Sequence, residues 1–152
     1  MKDTKILIVE DEWIVAKSIK KMLCNFGYNV SYIASSGEEA IKKTEELKPD
    51  LILMDIILKG PMDGIEASMK IKSLVNIPVI YLTANADEIT LERARISEPY
   101  GYILKPFEER DLQISIYMAL YKHSMENKLR ESEERFRLMA DTAPVMIWMT
   151  DC

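Results

Sequence analysis

Four short apolar runs, each ended at once by a polar residue, constrain this chain more than any other feature. The runs cover residues 6–9, 51–54, 79–82 and 102–104. Apolar runs of this length predict buried strands. The polar residues that follow them are Glu10, Asp11, Asp55, Thr83 and Lys105. Because ligands of an open parallel sheet bind at the carboxyl ends of its strands, these side chains are expected to share one pocket.

Between these runs the chain shows helical periodicity, so strands and helices alternate. Predicted helices cover residues 12–26, 36–47, 63–74, 87–97 and 108–143, and a further strand covers residues 29–34. This alternation predicts an α/β fold, a doubly wound parallel sheet of five strands with an extended C-terminal helix. In the first helix, Ile14, Val15, Ile19, Met22, Leu23 and Phe26 are the expected inner stripe.

The polar set suits a divalent cation and a phosphoryl group. Magnesium prefers oxygen ligands and usually takes one or two carboxylates together with phosphate oxygens. Asp11 and Asp55 suit direct ligation of Mg²⁺, and Glu10 suits a contact through water. Asp55 follows the most apolar strand and is the best candidate for a carboxylate nucleophile, which would give an aspartyl-phosphate. Lys105 and the Thr83 hydroxyl would neutralise charge on the phosphoryl oxygens.

Four segments in order carry a resemblance to a known family. They are ILIVEDE at 6–12, LMD at 53–55, YLTA at 81–84 and YILKPF at 102–107. Together they resemble the receiver domain of two-component response regulators, over residues 1–122. The resemblance implies strand order 2-1-3-4-5. It also implies that Asp55 accepts a phosphoryl group, with Mg²⁺, from a histidine kinase or a phosphotransfer protein, so the domain is a phosphoacceptor and not an enzyme.

The resemblance also implies roles for individual residues. The main-chain carbonyl of Ile57 would be a metal ligand, beside Glu10, Asp11 and Asp55. Thr83, Ala84 and Lys105 would contact the phosphoryl group, and Tyr102 would turn inward when Thr83 moves. The Lys105-Pro106 peptide would be cis. The loop after Asp55 departs from the family pattern, because it is one residue longer than usual.

Beyond residue 121 the composition shifts to charged residues around an apolar stripe. Met125, Leu129, Ser132, Phe136 and Met139 recur at spacings of four and three. This pattern predicts a short coiled coil within a helical linker at residues 123–136, and a parallel homodimer is one way to bury it. Residues 137–152 resemble the start of a PAS domain. We therefore expect a piece of a longer receiver–PAS signalling protein, such as a sensory or hybrid histidine kinase.

Composition excludes several other classes. The formal net charge of −5 argues against a nucleic-acid surface, which needs Lys and Arg contacts to phosphates. Neither an apolar stretch of membrane-spanning length nor a signal peptide is visible, so a cytoplasmic location without membrane contact is expected. Cys24 is expected to be buried. His123 does not lie in a kinase-like phosphodonor pattern, so a solvated helix position is expected.

Three other functions stay open at this stage. A pseudo-receiver would be an interaction and dimerisation module that never takes up phosphate. A phosphohydrolase with an aspartate nucleophile would need a second carboxylate two residues after Asp55, where Ile57 stands. A DNA-binding regulator is the third, although the tail shows no basic recognition helix.

Overall fold

The computed structural model describes residues 3–84 and 87–142, with side chains up to residue 138. Strands and helices alternate along the chain, as predicted. The strands are β1 (Lys5–Val9), β2 (Asn29–Ala34), β3 (Leu51–Asp55), β4 (Val79–Thr83) and β5 (Gly101–Leu104). The helices are α1 (Trp13–Asn25), α2 (Gly37–Leu47), α3 (Gly64–Leu74), α4 (Glu88–Ile96) and α5 (Glu109–Thr142).

The five strands form one parallel sheet in the order β2-β1-β3-β4-β5, which confirms the predicted fold. Register brings the strand ends into line. Val9 pairs with Met54 across β1 and β3, and Asp55 pairs with Leu82 across β3 and β4. Thr83 pairs with Leu104 across β4 and β5. The residues at these ends therefore lie along one edge of the sheet.

The sheet separates two hydrophobic layers. One layer packs α2, α3 and α4 on the face that carries Met54 and Tyr81. The other packs α1 and the first part of α5 on the face that carries Leu53 and Leu82. Every residue of β3 is buried, so the strand that ends in Asp55 is the centre of the fold.

Two expectations for α1 are wrong. Its buried positions are Ala16, Ile19 and Leu23, whereas Ile14 is 84% exposed. Each helical residue turns the chain by about 100°, so Ile14 projects away from the side that Ala16 buries. Cys24 is exposed for the same reason, since it follows Leu23 around the helix away from the sheet.

Capping residues mark the starts of α2, α3 and α4, and a glycine marks the end of α1, as the sequence predicts. Ser36, Asp63 and Asp87 are the N-caps of α2, α3 and α4, and each side chain accepts a hydrogen bond from the main-chain N–H three residues later. After α1, Gly27 adopts φ +90°, a conformation that glycine takes at little cost. These caps fix where each helix leaves its strand.

Contacts divide the chain into two units, Met1–Leu120 and Tyr121–Cys152. The first holds the sheet and its helices. In the second, the described residues are the C-terminal part of α5. The predicted PAS start at 137–152 lies largely outside the described residues and stays a prediction. Among the described helices, none combines the length and apolarity needed to cross a membrane.

Gly64 lets α3 begin directly against the end of β3. Its N–H donates to the Ile56 carbonyl oxygen at 2.8 Å. A Cβ at this position would overlap the main-chain carbonyl oxygen of Asp55. The overlap is with backbone, which cannot rotate aside as a flexible side chain can, so the position requires glycine.

We expect Gly64→Ala to lower the free energy of unfolding by about 2 kcal/mol or more, because β3 and α3 must move apart. Gly101→Ala is the matched control. A Cβ there would meet the Ile80 side chain at an ordinary 4.0 Å, so its effect should stay below about 1 kcal/mol. Urea unfolding of both variants provides the measurement, and equal losses would contradict the argument.

Candidate phosphoacceptor and metal site

Three carboxylates converge at the carboxyl edge of the sheet. Glu10 and Asp11 follow β1, and Asp55 ends β3. One ligand oxygen from each of the three lies within 4.8 Å of the others. Asp11 Oδ2 accepts a hydrogen bond from the main-chain N–H of Lys59 at 3.2 Å, which ties it to the loop after Asp55. The sequence placed these three residues together, and the structure brings them together.

An ammonium group bridges two of these carboxylates. Lys105 Nζ lies 3.1 Å from Asp55 Oδ2 and 3.2 Å from Glu10 Oε1. The lysine is positioned by the sheet, since its main-chain N–H donates to the Thr83 carbonyl oxygen at 2.8 Å. The following Lys105-Pro106 peptide is cis, as the resemblance implied.

The two side-chain oxygens of Asp55 have different partners. Oδ2 accepts from Lys105, and Oδ1 accepts from the main-chain N–H of Ile57 at 3.2 Å. The residue is only 7% exposed, so these contacts fix the carboxylate in a narrow opening. A fixed carboxylate with a cation beside it is pre-organised to accept a group that carries negative charge.

The other predicted residues lie at the end of β4 and in the loop after β3. Thr83 is buried at the end of β4, and Ala84 is exposed directly after it. Ile57 follows Asp55 in the loop with its side chain 61% exposed, and the role of its carbonyl as a ligand stays a prediction.

Tyr102 lies in β5, three residues before Lys105. It pairs with Tyr81 across β4 and β5, and their ring centroids are 6.2 Å apart. Tyr102 is 41% exposed, whereas Tyr81 is fully buried. Side chains two residues apart share one face of a strand, so Thr83 lies on the same face as Tyr81.

In the absence of a metal, the close charges of the cluster shift the pKa values of its members. The pKa of Glu10 is raised from 4.5 to about 8, first by burial and then by the hydrogen bond and negative charge of Asp55, whereas Lys105 lowers it. For Lys105, burial lowers the pKa, but the charges of Asp55 and Glu10 outweigh burial and raise it above its ordinary value. Glu10 therefore holds a proton at neutral pH when no cation is bound.

The donor set fits Mg²⁺. All three side chains offer hard carboxylate oxygens, and their spacing is short enough for one ion to reach them directly or through water. A divalent cation would replace the proton on Glu10 and relieve the repulsion with Asp55. Glu10, Asp11 and Asp55 are the residues that would hold it.

Sequence analysis missed two supporting contacts. The first is the hydrogen bond from the main-chain N–H of Lys59 to Asp11. Any residue type except proline can make such a main-chain bond, so the identity of residue 59 does not predict it. The second is Gly64 against the carbonyl of Asp55. The Asp63-Gly64 pair was visible as a helix start, but the close approach depends on how α3 packs on β3.

Comparison with known proteins agrees with this geometry. The family model of the response regulator receiver domain matches residues 6–117. This chain belongs to the response regulator receiver family. The chain is a receiver domain of two-component signalling, and its acidic cluster is consistent with the phosphoacceptor site of such domains.

Individual relatives show how far the similarity extends. The transcriptional regulatory protein PdtaR of Mycobacterium tuberculosis is 38% identical over 117 residues, which are 76% of this chain and 56% of that protein. This chain therefore spans about half the length of the first curated relatives that it matches.

Two solved structures resemble the receiver more completely. The signal receiver domain of a modulated diguanylate cyclase from Desulfovibrio desulfuricans is 36% identical with a TM-score of 0.78, and the match covers 82% of this chain and 98% of that one. The N-terminal domain of a response regulator/sensory box/GGDEF protein from Carboxydothermus hydrogenoformans is 40% identical with a TM-score of 0.75, covering 81% and 98%.

The raised pKa of Glu10 predicts how stability depends on pH without metal. Between pH 4.5 and about 8 the folded state binds a proton that the unfolded state has released, so the free energy of unfolding should fall as pH rises through this window. Glu10→Gln cannot lose a proton and should flatten this fall. Denaturant unfolding in EDTA at pH 5, 6, 7 and 8 measures the slope.

Glu45→Gln is the control, because Glu45 is an exposed glutamate on α2. This variant should keep the slope of the unmodified protein. Identical slopes for the unmodified protein and Glu10→Gln would contradict the prediction.

Proposed function

We propose that Asp55 accepts a phosphoryl group from the phosphohistidine of a histidine kinase or a phosphotransfer protein, in a reaction that requires Mg²⁺. The observation that carries the proposal is the position of Asp55: a nearly buried carboxylate, 3.1 Å from the ammonium of Lys105 and within one cluster with Glu10 and Asp11. Phosphoryl transfer depends mainly on positioning and charge neutralisation, and this site supplies both.

The chemistry assigns one task to each group. A side-chain oxygen of Asp55 attacks the phosphorus in line, forming a P–O bond as the P–N bond to the donor imidazole breaks. The departing nitrogen keeps the electron pair, and the donor leaves as neutral imidazole because the other ring nitrogen of its phosphohistidine carries a proton. Lys105, freed from its contact with Asp55, pairs with a phosphoryl oxygen. Bound Mg²⁺ would supply charge neutralisation on the opposite side of the phosphoryl group.

The Thr83 hydroxyl and Ala84, at the end of the neighbouring strand β4, are the proposed further contacts of the phosphoryl group. Movement of Thr83 toward the product would open space on the face of the sheet that it shares with Tyr81. Tyr102, half exposed beside the Tyr81 ring, is the side chain placed to fill that space. Phosphorylation would then shift the population of Tyr102 orientations and alter the surface at β5.

The alternatives are less well supported. A pseudo-receiver would have no need for the cluster, because taking the nearly buried Asp55 carboxylate and the partly buried Lys105 ammonium out of water costs desolvation energy. For a phosphohydrolase, a general acid would be needed two residues after Asp55. Ile57 stands there with an apolar, exposed side chain, so no proton donor is available at that position.

Beyond the receiver, we propose that α5 connects to a PAS-like sensory module in the longer protein, acting in the cytoplasm. The resemblance of residues 137–152 to the start of a PAS domain supports this order. The Carboxydothermus relative, described as the N-terminal domain of a response regulator/sensory box/GGDEF protein, offers a precedent for a receiver in first place. A histidine-kinase output is a further proposal on the same basis.

Intact mass spectrometry after incubation with acetyl phosphate or phosphoramidate tests phosphorylation. We expect the unmodified protein to gain one phosphoryl group in Mg²⁺ and none in EDTA. Asp55→Asn should gain none, because an amide cannot replace the carboxylate as nucleophile.

Asp50→Asn is the matched control for this test. Asp50 precedes the same strand at its opposite end, where its carboxylate accepts from the Lys5 main-chain N–H at 2.8 Å. It should be labelled like the unmodified protein. Equal labelling of Asp55→Asn would refute the assignment of Asp55, and no labelling of any variant would favour the pseudo-receiver.

A further inference from the structure

The C-terminal part of α5 carries an apolar stripe on an otherwise charged helix. Met125, Leu129 and Phe136 are 39%, 62% and 59% exposed, and Ser132 continues the same spacing. Exposure of large apolar side chains along one helix face is unfavourable in water, so such a face is expected to pack against a partner. Met139, the next residue of the stripe, lies beyond the side chains that the structure describes.

The stripe defines a heptad register. Met125 and Ser132 occupy d positions, and Leu129 and Phe136 occupy a positions. The charged residues that flank this seam then sort by sign. Between residues 125 and 136 the two e positions, Glu126 and Glu133, are acidic and the two g positions, Lys128 and Arg135, are basic, and all four are exposed.

This sorting distinguishes the two ways in which helices can pair. In a parallel pair, a g residue faces the e residue of the next heptad on the other helix, so Lys128 would face Glu133 twice across the interface. In an antiparallel pair, g faces g and e faces e. Lys128 and Arg135 would then repel their counterparts, and so would the two glutamates.

We propose that this surface binds a second copy of the same chain, as a parallel, in-register two-stranded coiled coil over residues 121–138. Charge complementarity identifies the occupant, because an identical helix supplies Glu133 as the acid for Lys128, once on each side of the interface. The proposal does not depend on phosphorylation of Asp55. Eighteen residues give a coiled coil about 27 Å long, so we expect a dimer that dissociates on dilution.

Sedimentation equilibrium of the full 152-residue chain, at low ionic strength and over a range of concentrations, tests the proposal. We expect reversible dimerisation. Lys128→Glu places like charges opposite Glu133 of the second copy and should raise the dissociation constant about tenfold, since two pairs change from attraction to repulsion. In an antiparallel pair the same change would strengthen the dimer.

Two further variants keep the test decisive. Lys128→Glu combined with Glu133→Lys exchanges the charges and should restore the dissociation constant of the unmodified chain. Arg130→Glu, at an outward b position, makes the same change of charge and should leave it unaltered. A chain that stays monomeric, or a Lys128→Glu variant that dimerises equally or better, would overturn the proposal.

Cross-linking tests the register directly. In a background of Cys24→Ser and Cys152→Ser, Leu129→Cys should form an intermolecular disulfide rapidly, because a positions face each other in a parallel in-register pair. Glu131→Cys, at an outward c position, is the control and should react slowly. Similar rates for the two cysteines would also overturn the proposal.

Discussion

The ion cluster of Lys105 with Glu10 and Asp55 is the constraint on which the rest of the site depends. Two carboxylates and one ammonium share a nearly buried space, where each charge alone would be costly. Burial and the negative charge of Asp55 outweigh the single ammonium of Lys105, so the pKa of Glu10 is raised and this carboxyl favours a proton. A divalent cation would replace that proton and leave the carboxylates charged as its ligands.

The sheet register and the packing of α3 hold the cluster in place. Strand β3 is buried throughout, and Gly64 lets α3 start against the carbonyl of Asp55. Asp63, one residue earlier, caps α3 and also pairs with Arg93 of α4 at 2.9 Å. At the C-terminal end of α4, the Tyr81 hydroxyl lies 2.6 Å from the hydroxyl of Ser97, the C-cap residue. A change at Asp55 therefore has short physical routes to α4 through the α3 cap and through β4.

Much of this could be predicted from sequence, because the signals are local. Period and composition identified the strands, caps identified the helix starts, and the parallel topology placed Asp55, Thr83 and Lys105 at one edge. The predicted inner stripe of α1 was wrong at Ile14, because this helix has more apolar residues than the sheet can bury. The pKa of Glu10 depends on burial and on the distances to neighbouring charges, and neither is written in the order of residues.

Opposite charges act in both units of the chain, but under different dielectric conditions. Around Asp55 the charges are mostly buried, and salt screens them weakly. Along α5 the charges beside the apolar stripe are exposed, and at physiological salt the screening length is only about 8 Å. Rising ionic strength should therefore weaken the charge selection of a helix partner well before it disturbs the phosphoacceptor site. Burial therefore makes the interactions around Asp55 nearly independent of salt, whereas pairing between exposed helices depends on ionic strength.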